Sequence, residues 1–261
     1  MSLIAVAAGK GSPGVTTTAL ALAAVWPRPA LFAECDPAGG DVVFGLRTED
    51  GSALAGDRGI VSLATAQRVP GAVSDVLAHA QVVDGGLPVL VGVASPTHAN
   101  ALAGSWCGIA ASLASCGSDV FADCGRLAGG TLIDDVLNAA DRILVVCRAT
   151  SAGVAHARSA LELLCTRQHA VPISVVVIGA PGSPGQVASA LRGFGELDVI
   201  GPVAVDPDGA GALAGRWTRR LDRSPLVVSV RLLARAVDAR LSADRALTPM
   251  SQQVDEMSEV G

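Results

Sequence analysis

Short, unbroken apolar runs alternate along the chain with longer stretches in which apolar residues recur at helical spacing, and most runs close on glycine, proline or aspartate. The first run, 3–8, passes through a glycine-rich segment into an Ala/Leu-rich stretch, which predicts a strand, a loop and a helix in succession. Runs at 30–33, 88–93, 119–124, 143–147, 173–178 and 200–205 predict further strands, and stretches at 60–67, 73–80, 97–115, 151–169, 208–216 and 225–243 predict helices. Runs without polar alternation belong to strands covered on both faces. The pattern therefore predicts an α/β fold, a doubly wound, mostly parallel sheet flanked by helices, with ligands meeting it beyond the carboxyl ends of the strands. A single domain is expected over 1–246. Residues 247–261 are polar and lack aromatics, which predicts a disordered tail.

Composition narrows the class. With 261 residues, half of them hydrophobic, the chain can bury a large core, and the absence of tyrosine makes that core aliphatic. Residues 85–118 hold no Asp, Glu, Lys or Arg, but Pro96, Thr97, His98, Asn100 and Ser105 interrupt them. A spanning helix wants about 20 predominantly apolar residues, so this stretch predicts a buried strand and a packed helix, not a transmembrane segment. The first strand follows the N-terminus with no basic region before it, and no targeting segment is expected. Cys35, Cys107, Cys116, Cys124, Cys147 and Cys165 show no paired metal spacing and predict reduced, buried thiols of a cytoplasmic protein.

The net charge of −5 is unevenly spread, because eight of the nineteen basic residues fall within 216–245 against three acids. Arg216, Arg219, Arg220, Arg223, Arg231 and Arg235 are a candidate phosphate-contacting surface for nucleic acid. A solvated or partner-contacting face is the reading preferred, since the acidic remainder would repel DNA. The acidic 247–261 segment does not predict a membrane-surface helix.

The chemistry concentrates at the first loop. Gly9, Gly14 and Thr16 have the spacing of a phosphate-binding loop, with Val15 where that pattern has lysine. Glycines let backbone N–H groups curl around an anion at a helix N-terminus, and Thr16 could offer its hydroxyl to Mg2+. Lys10 is the only lysine in a chain otherwise committed to arginine, which suggests a need for a slim, flexible ammonium there. Glu34 and Asp36 close the second run, two residues apart, and are expected to point together beyond the strand's end. Asp36-Pro37 followed by Gly39-Gly40 makes a turn; a plain turn or cap carboxylate is the alternative for Asp36. Asp123 closes the 119–124 run before Gly125. A second Gly-Ser-Pro-Gly at 182–185 lacks following threonines and predicts only a turn and a helix start.

Lys10-Gly11-Ser12-Pro13-Gly14-Val15-Thr16-Thr17 resembles the deviant phosphate loop of the ParA/MinD family of dimeric ATPases, Lys-Gly-Gly-x-Gly-Lys-Thr-Thr. Asp36-Pro37 resembles the family's first switch, 119–126 its Walker B strand and second switch, and 200–207 its closing strand and base-proximal loop. The resemblance covers about 2–243. It implies ATP and Mg2+ as cofactors, cradled by Gly9 through Thr17 with Asp206 and Pro207 near the base. Thr16, Asp36 and Asp123 would serve the Mg2+ ion, partly through water. Lys10 would reach across a homodimer to the partner's phosphates, and Asp36 would position the attacking water. Gly179 stands where many relatives have an adenine-binding Asn. The wording of the loop is most similar to actinobacterial MinD-like proteins, some grouped with the CpaE/TadZ positioning factors of tight-adherence pili. With the Val15 position uncharged, an N–H lost at Pro13 and a side chain at Ser12, hydrolysis is expected to be slow or absent. The function implied is a nucleotide-dependent switch, with a protein partner, that positions or scaffolds a pilus or secretion assembly, or marks a septum or pole. The alternatives are an active ATPase in DNA partitioning and a nucleotide-free structural adaptor.

Overall fold

A computed structural model describes residues 1–11, 13–67, 75–127, 132–167, 169–195, 197–215 and 221–258, of which 247–258 are described in backbone alone. One sheet holds β1 (Leu3–Ala8), β2 (Ala30–Glu34), β3 (Gln81–Val82), β4 (Pro88–Leu90), β5 (Asp119–Arg126), β6 (Arg142–Arg148), β7 (Ile173–Ile178) and β8 (Asp198–Val203). Their order is β3-β4-β2-β5-β1-β6-β7-β8, and only the short β3 runs antiparallel to its neighbour. The doubly wound, mostly parallel sheet read from the sequence is the fold observed.

The helices are α1 (Val15–Val25), α2 (Val42–Gly45), α3 (Ile60–Ala66), α4 (Val76–His79), α5 (Pro96–Ala101), α6 (Trp106–Ala114), α7 (Asp134–Ala139), α8 (Ser151–Thr166), α9 (Ser183–Ala190), α10 (Pro207–Leu213) and α11 (Pro225–Ser258). Every residue of β1 is buried; Leu3, Ala5 and Ala7 face a layer that includes α3 and α5 to α9, while Ile4, Val6 and Ala8 face α1, α10 and α11. Burial on both sides is why the run lacks polar alternation.

Several expectations are corrected. The helix expected over 97–115 is two helices joined by a 3-10 turn at Ala103–Ser105. The Ala99 carbonyl accepts the Leu102 amide (3.2 Å), three residues on, together with the Trp106 indole (3.3 Å), so the chain tightens there instead of continuing the α-helical ladder. The last helix extends to Ser258, beyond the expected end at 243. Cys107 and Cys165 are exposed rather than buried, because Trp106, Ile109 and Leu113 of α6 and Leu161 and Leu164 of α8 occupy the inward positions. Part of the 73–80 helix, and Arg216, Arg219 and Arg220, lie outside the described residues. Arg223, Arg231 and Arg235 are exposed, with Arg231 turned back on the Asp222 carbonyl (3.1 Å). No helix among the described residues is long and apolar enough to cross a membrane.

The amino end of the sheet is tied by charge. Asp119 accepts from the Ser2 amide (2.7 Å), the Trp26 indole (2.7 Å) and Arg28 (2.9 Å), and Arg28 also pairs with Asp238 of α11 (2.8 Å). Arg142 donates to Ser174 (2.7 Å) and Asp244 (2.5 Å), and Arg240 grips both oxygens of Asp198. Burial alone would raise Asp119 and Asp198. The donors around them outweigh it and hold both below the usual carboxylate range.

Candidate functional site

Adjacent strands β1 and β5 continue into helices on opposite faces, α1 on one and α7 on the other, so their carboxyl ends part and leave a crevice. The loop from Gly9 to Gly14 rims it. Gly11 and Gly14 adopt φ of +78° and +103°, which favour glycine. Gly14 begins α1 without a side-chain cap, so the N–H groups of its first turn are left for a ligand or water. Gly9 lies hard against α8, where a Cβ would stand 2.1 Å from the His156 carbonyl oxygen. Lys10, Gly11 and Thr16 are exposed, Thr17 is half-buried and Pro13 is buried; Ser12 lies outside the described residues. Val15 is only 7 % exposed and belongs to the apolar layer of α1 and α11. Its side chain points into the core and brings no charge to the loop.

The acids gather on the other side of the crevice. The Thr16 side chain lies beside Asp123 and favours its charged form, and Asp123 Oδ1 accepts the Gly125 amide (3.0 Å). Asp36 accepts the Ala38 amide (2.7 Å), and its carboxylate rests on Gly125, where a Cβ would be 2.0 Å from Oδ2. Thr16, Asp36 and Asp123 are thus brought together around Gly125. Burial pushes Asp123 up to about 6, against the pull of Thr16 and the Gly125 amide. Burial likewise raises Asp36, eased by the Ala38 N–H and by Arg126.

Glu34 does not point with Asp36 as the strand spacing suggested. β2 ends at Glu34, and its side chain, in a residue only 2 % exposed, folds into the protein: Oε1 accepts the amides of Asp41 (2.9 Å) and Val42 (3.1 Å), and Oε2 that of Gly92 (3.0 Å). Desolvation pushes it up to about 7 in spite of these donors. Nothing local in the sequence signals this role, since one of its partners lies 58 residues away.

Asp206 and Pro207 stand apart from this group. Asp206 caps α10 through the Gly209 amide (2.9 Å) and receives the Leu226 amide (3.2 Å), which joins α10 to α11; these backbone N–H groups hold its carboxyl low. β8, which precedes it, is three strands from β1, roughly 14 Å at ordinary strand spacing. At Gly179 a Cβ would lie 2.7 Å from that of Ala149 and 2.9 Å from Ser183 Oγ, so this position has no room for a longer side chain.

Chemically, an uncapped helix N-terminus beyond a glycine loop suits an anion. A hydroxyl with two partly desolvated carboxylates suits one hard divalent cation. No cluster of three or more His, Cys, Asp or Glu among the described residues makes a metal cage, so such a cation would complete its shell with water and the anion's oxygens.

No family model and no curated protein match the chain. Solved structures do. A ParA family ATPase from Chlorobium tepidum TLS is similar over 89 % of this chain and 98 % of its own, at 14 % identity and a TM-score of 0.67. MinD in the MinC:MinD cell division complex of Aquifex aeolicus matches over 92 % and 96 %, at 16 % identity and 0.66. The septum site-determining protein MinD of Pyrococcus horikoshii OT3, complexed with Mg-ADP, matches over 93 % and 98 %, at 16 % and 0.65. The chain has the fold of these P-loop ATPases along nearly its whole length.

Proposed function

We propose that the chain is an ATP-binding switch of the ParA/MinD type that dimerises around nucleotide and positions or scaffolds a cytoplasmic assembly, hydrolysing ATP slowly or not at all. The observation that carries this reading is the pairing of a complete Thr16, Asp36 and Asp123 group with a buried, uncharged Val15 in the same loop. Backbone N–H groups from Gly9 to Thr17 would hold the phosphates. Thr16 and Asp123, with Asp36 through water, would hold Mg2+, which when bound neutralises charge on the phosphates. Phosphoryl transfer is catalysed mainly by positioning and charge neutralisation, so a loop without its inner cation favours holding nucleotide over turning it over. Lys10, exposed on the rim, is free to reach a second subunit. Neighbours of the same fold hold Mg-ADP or pair with MinC, which supports a nucleotide-controlled partner contact. The resemblance to CpaE/TadZ factors favours a pilus or secretion assembly over a septum or pole.

The test is the mass of the protein in solution with Mg-ATP, with Mg-ADP and without nucleotide, for wild type and Lys10→Ala. Dimerisation that requires both ATP and Lys10 is expected. An unchanged mass with no bound nucleotide would leave a scaffold that keeps only the fold.

A further inference from the structure

The loop carrying Asp36 is short and closed at both ends. The Cys35 amide donates to the Asp123 carbonyl (2.8 Å) and the Gly40 amide to the Val93 carbonyl (2.9 Å), while α2 begins at Val42. Between these points, the buried Glu34 carboxylate takes amides from two separate segments, Asp41-Val42 on one side and Gly92 on the other. A buried carboxylate is tolerated when donors surround it. Here the donors belong to the loop and to the segment just beyond β4, so the side chain fastens one to the other.

Two glycines are fitted to Glu34. A Cβ at Gly40 would lie 1.9 Å from Glu34 Cδ, and one at Gly92 would lie 2.6 Å from the Glu34 backbone carbonyl oxygen and 2.9 Å from its Cγ. Neither glycine has the positive φ that would itself demand glycine. Their lack of a side chain is explained by the space Glu34 occupies. An aspartate, shorter by one C–C bond of about 1.5 Å, would not span both arms.

We infer that Glu34 is a positioning residue: it latches the 36–42 loop to the end of β4 through the Asp41, Val42 and Gly92 amides, and so fixes Asp36 against Gly125 and beside Asp123. The latch is a property of the fold; its bearing on Mg2+ rests on the nucleotide reading above.

Amide hydrogen exchange on the full chain tests it, with wild type, Glu34→Gln and the pair Glu34→Asp with Gly40→Ala. In Glu34→Gln the side-chain NH2 would meet the Gly92 N–H donor to donor. Protection at Gly92 is expected to fall about tenfold or more, the scale of a hydrogen bond to a charged group, and that at Asp41 and Val42, which keep a neutral oxygen as acceptor, to fall less, while β1, β5 and β6 keep theirs. In the pair, the added methyl refills the space but not the reach, so thermal stability partly recovers while Gly92 stays unprotected. Unchanged protection at the three amides, an equal loss throughout the sheet, or full recovery at Gly92 in the pair would each overturn the latch. A second readout is binding of a fluorescent ATP analogue to the same variants. Glu34→Gln should lose about tenfold of the affinity gained on adding Mg2+ and nothing of the metal-free affinity. If wild type binds no nucleotide, the nucleotide reading fails and exchange still decides the latch.

Discussion

At the amino end of the sheet, Asp119 and Asp198 are held among arginines, an indole and a hydroxyl and titrate below the usual carboxylate range. At the carboxyl end, Glu34, Asp36 and Asp123 are met by backbone N–H groups and the Thr16 hydroxyl, with Arg126 the one cation set against any of them, and deeper burial raises all three. The same residue types in the same sheet thus serve two purposes. One end is electrostatically complete and joins α11 to the strands. The other is left short of positive charge, which suits a hard cation, while the anion's partner is the uncapped start of α1.

The contrast would break first under Asp119→Ala, which strands the Trp26 and Ser2 donors and Arg28. A loss of about 4 kcal/mol is expected, read by urea unfolding. Asp123→Asn, by comparison, should cost less than about 1 kcal/mol without ligand, because the native state already disfavours that charge.

A pH series separates the two ends next. Glu34 rises from 4.5 to about 7 and Asp123 from 3.8 to about 6 in the folded state, so the native protein binds more protons between those values. Stability should therefore fall as pH rises through this window, by on the order of 3 kcal/mol between about pH 5 and 7.5, and level off above it. Asp119 and Asp198 have lowered values, so their contribution is fully present above the unfolded carboxylate pKa and is lost only below about pH 4. Saturating Mg-ATP should flatten the part due to Asp123; melting curves at several pH values, with and without it, check both signs.

Val15→Lys puts an ammonium where an apolar side chain packs in the layer of α1 and α11, so it should cost about 2 kcal/mol of stability by urea unfolding, and a smaller loss would show that this position can turn out toward the loop. The smallest effect sharpens the comparison across its own boundary. Asp206 lies beyond the carboxyl end of β8 yet is satisfied like the amino-end acids, so Asp206→Ala should cost about 1 kcal/mol of cap stability and leave nucleotide affinity unchanged.

Most of this fold is written locally. β1, its glycine loop and α1 are contiguous, and Asp36 and Asp123 each end an apolar run before a turn, so their chemistry can be read from neighbours in sequence. What escaped reading is joined across the chain. Glu34 was expected to point with Asp36 because strand spacing is a two-residue rule, whereas its position is set by Gly92 and by a chain that turns where β2 ends. The Asp119 and Arg142 networks were likewise hidden, since their partners lie 91 to 117 and 32 to 102 residues away. Val15 was legible as a missing charge. That its side chain is part of the core was not.

The close approach at Gly9 has its counterpart across the site. With the His156 carbonyl where a Cβ would have to go, Gly9 rests directly on α8. The 36–42 segment is tied down in turn, by the Glu34 carboxylate and by the Gly40 amide on the Val93 carbonyl, so the site is cast like a mould, its two sides set before anything is poured in.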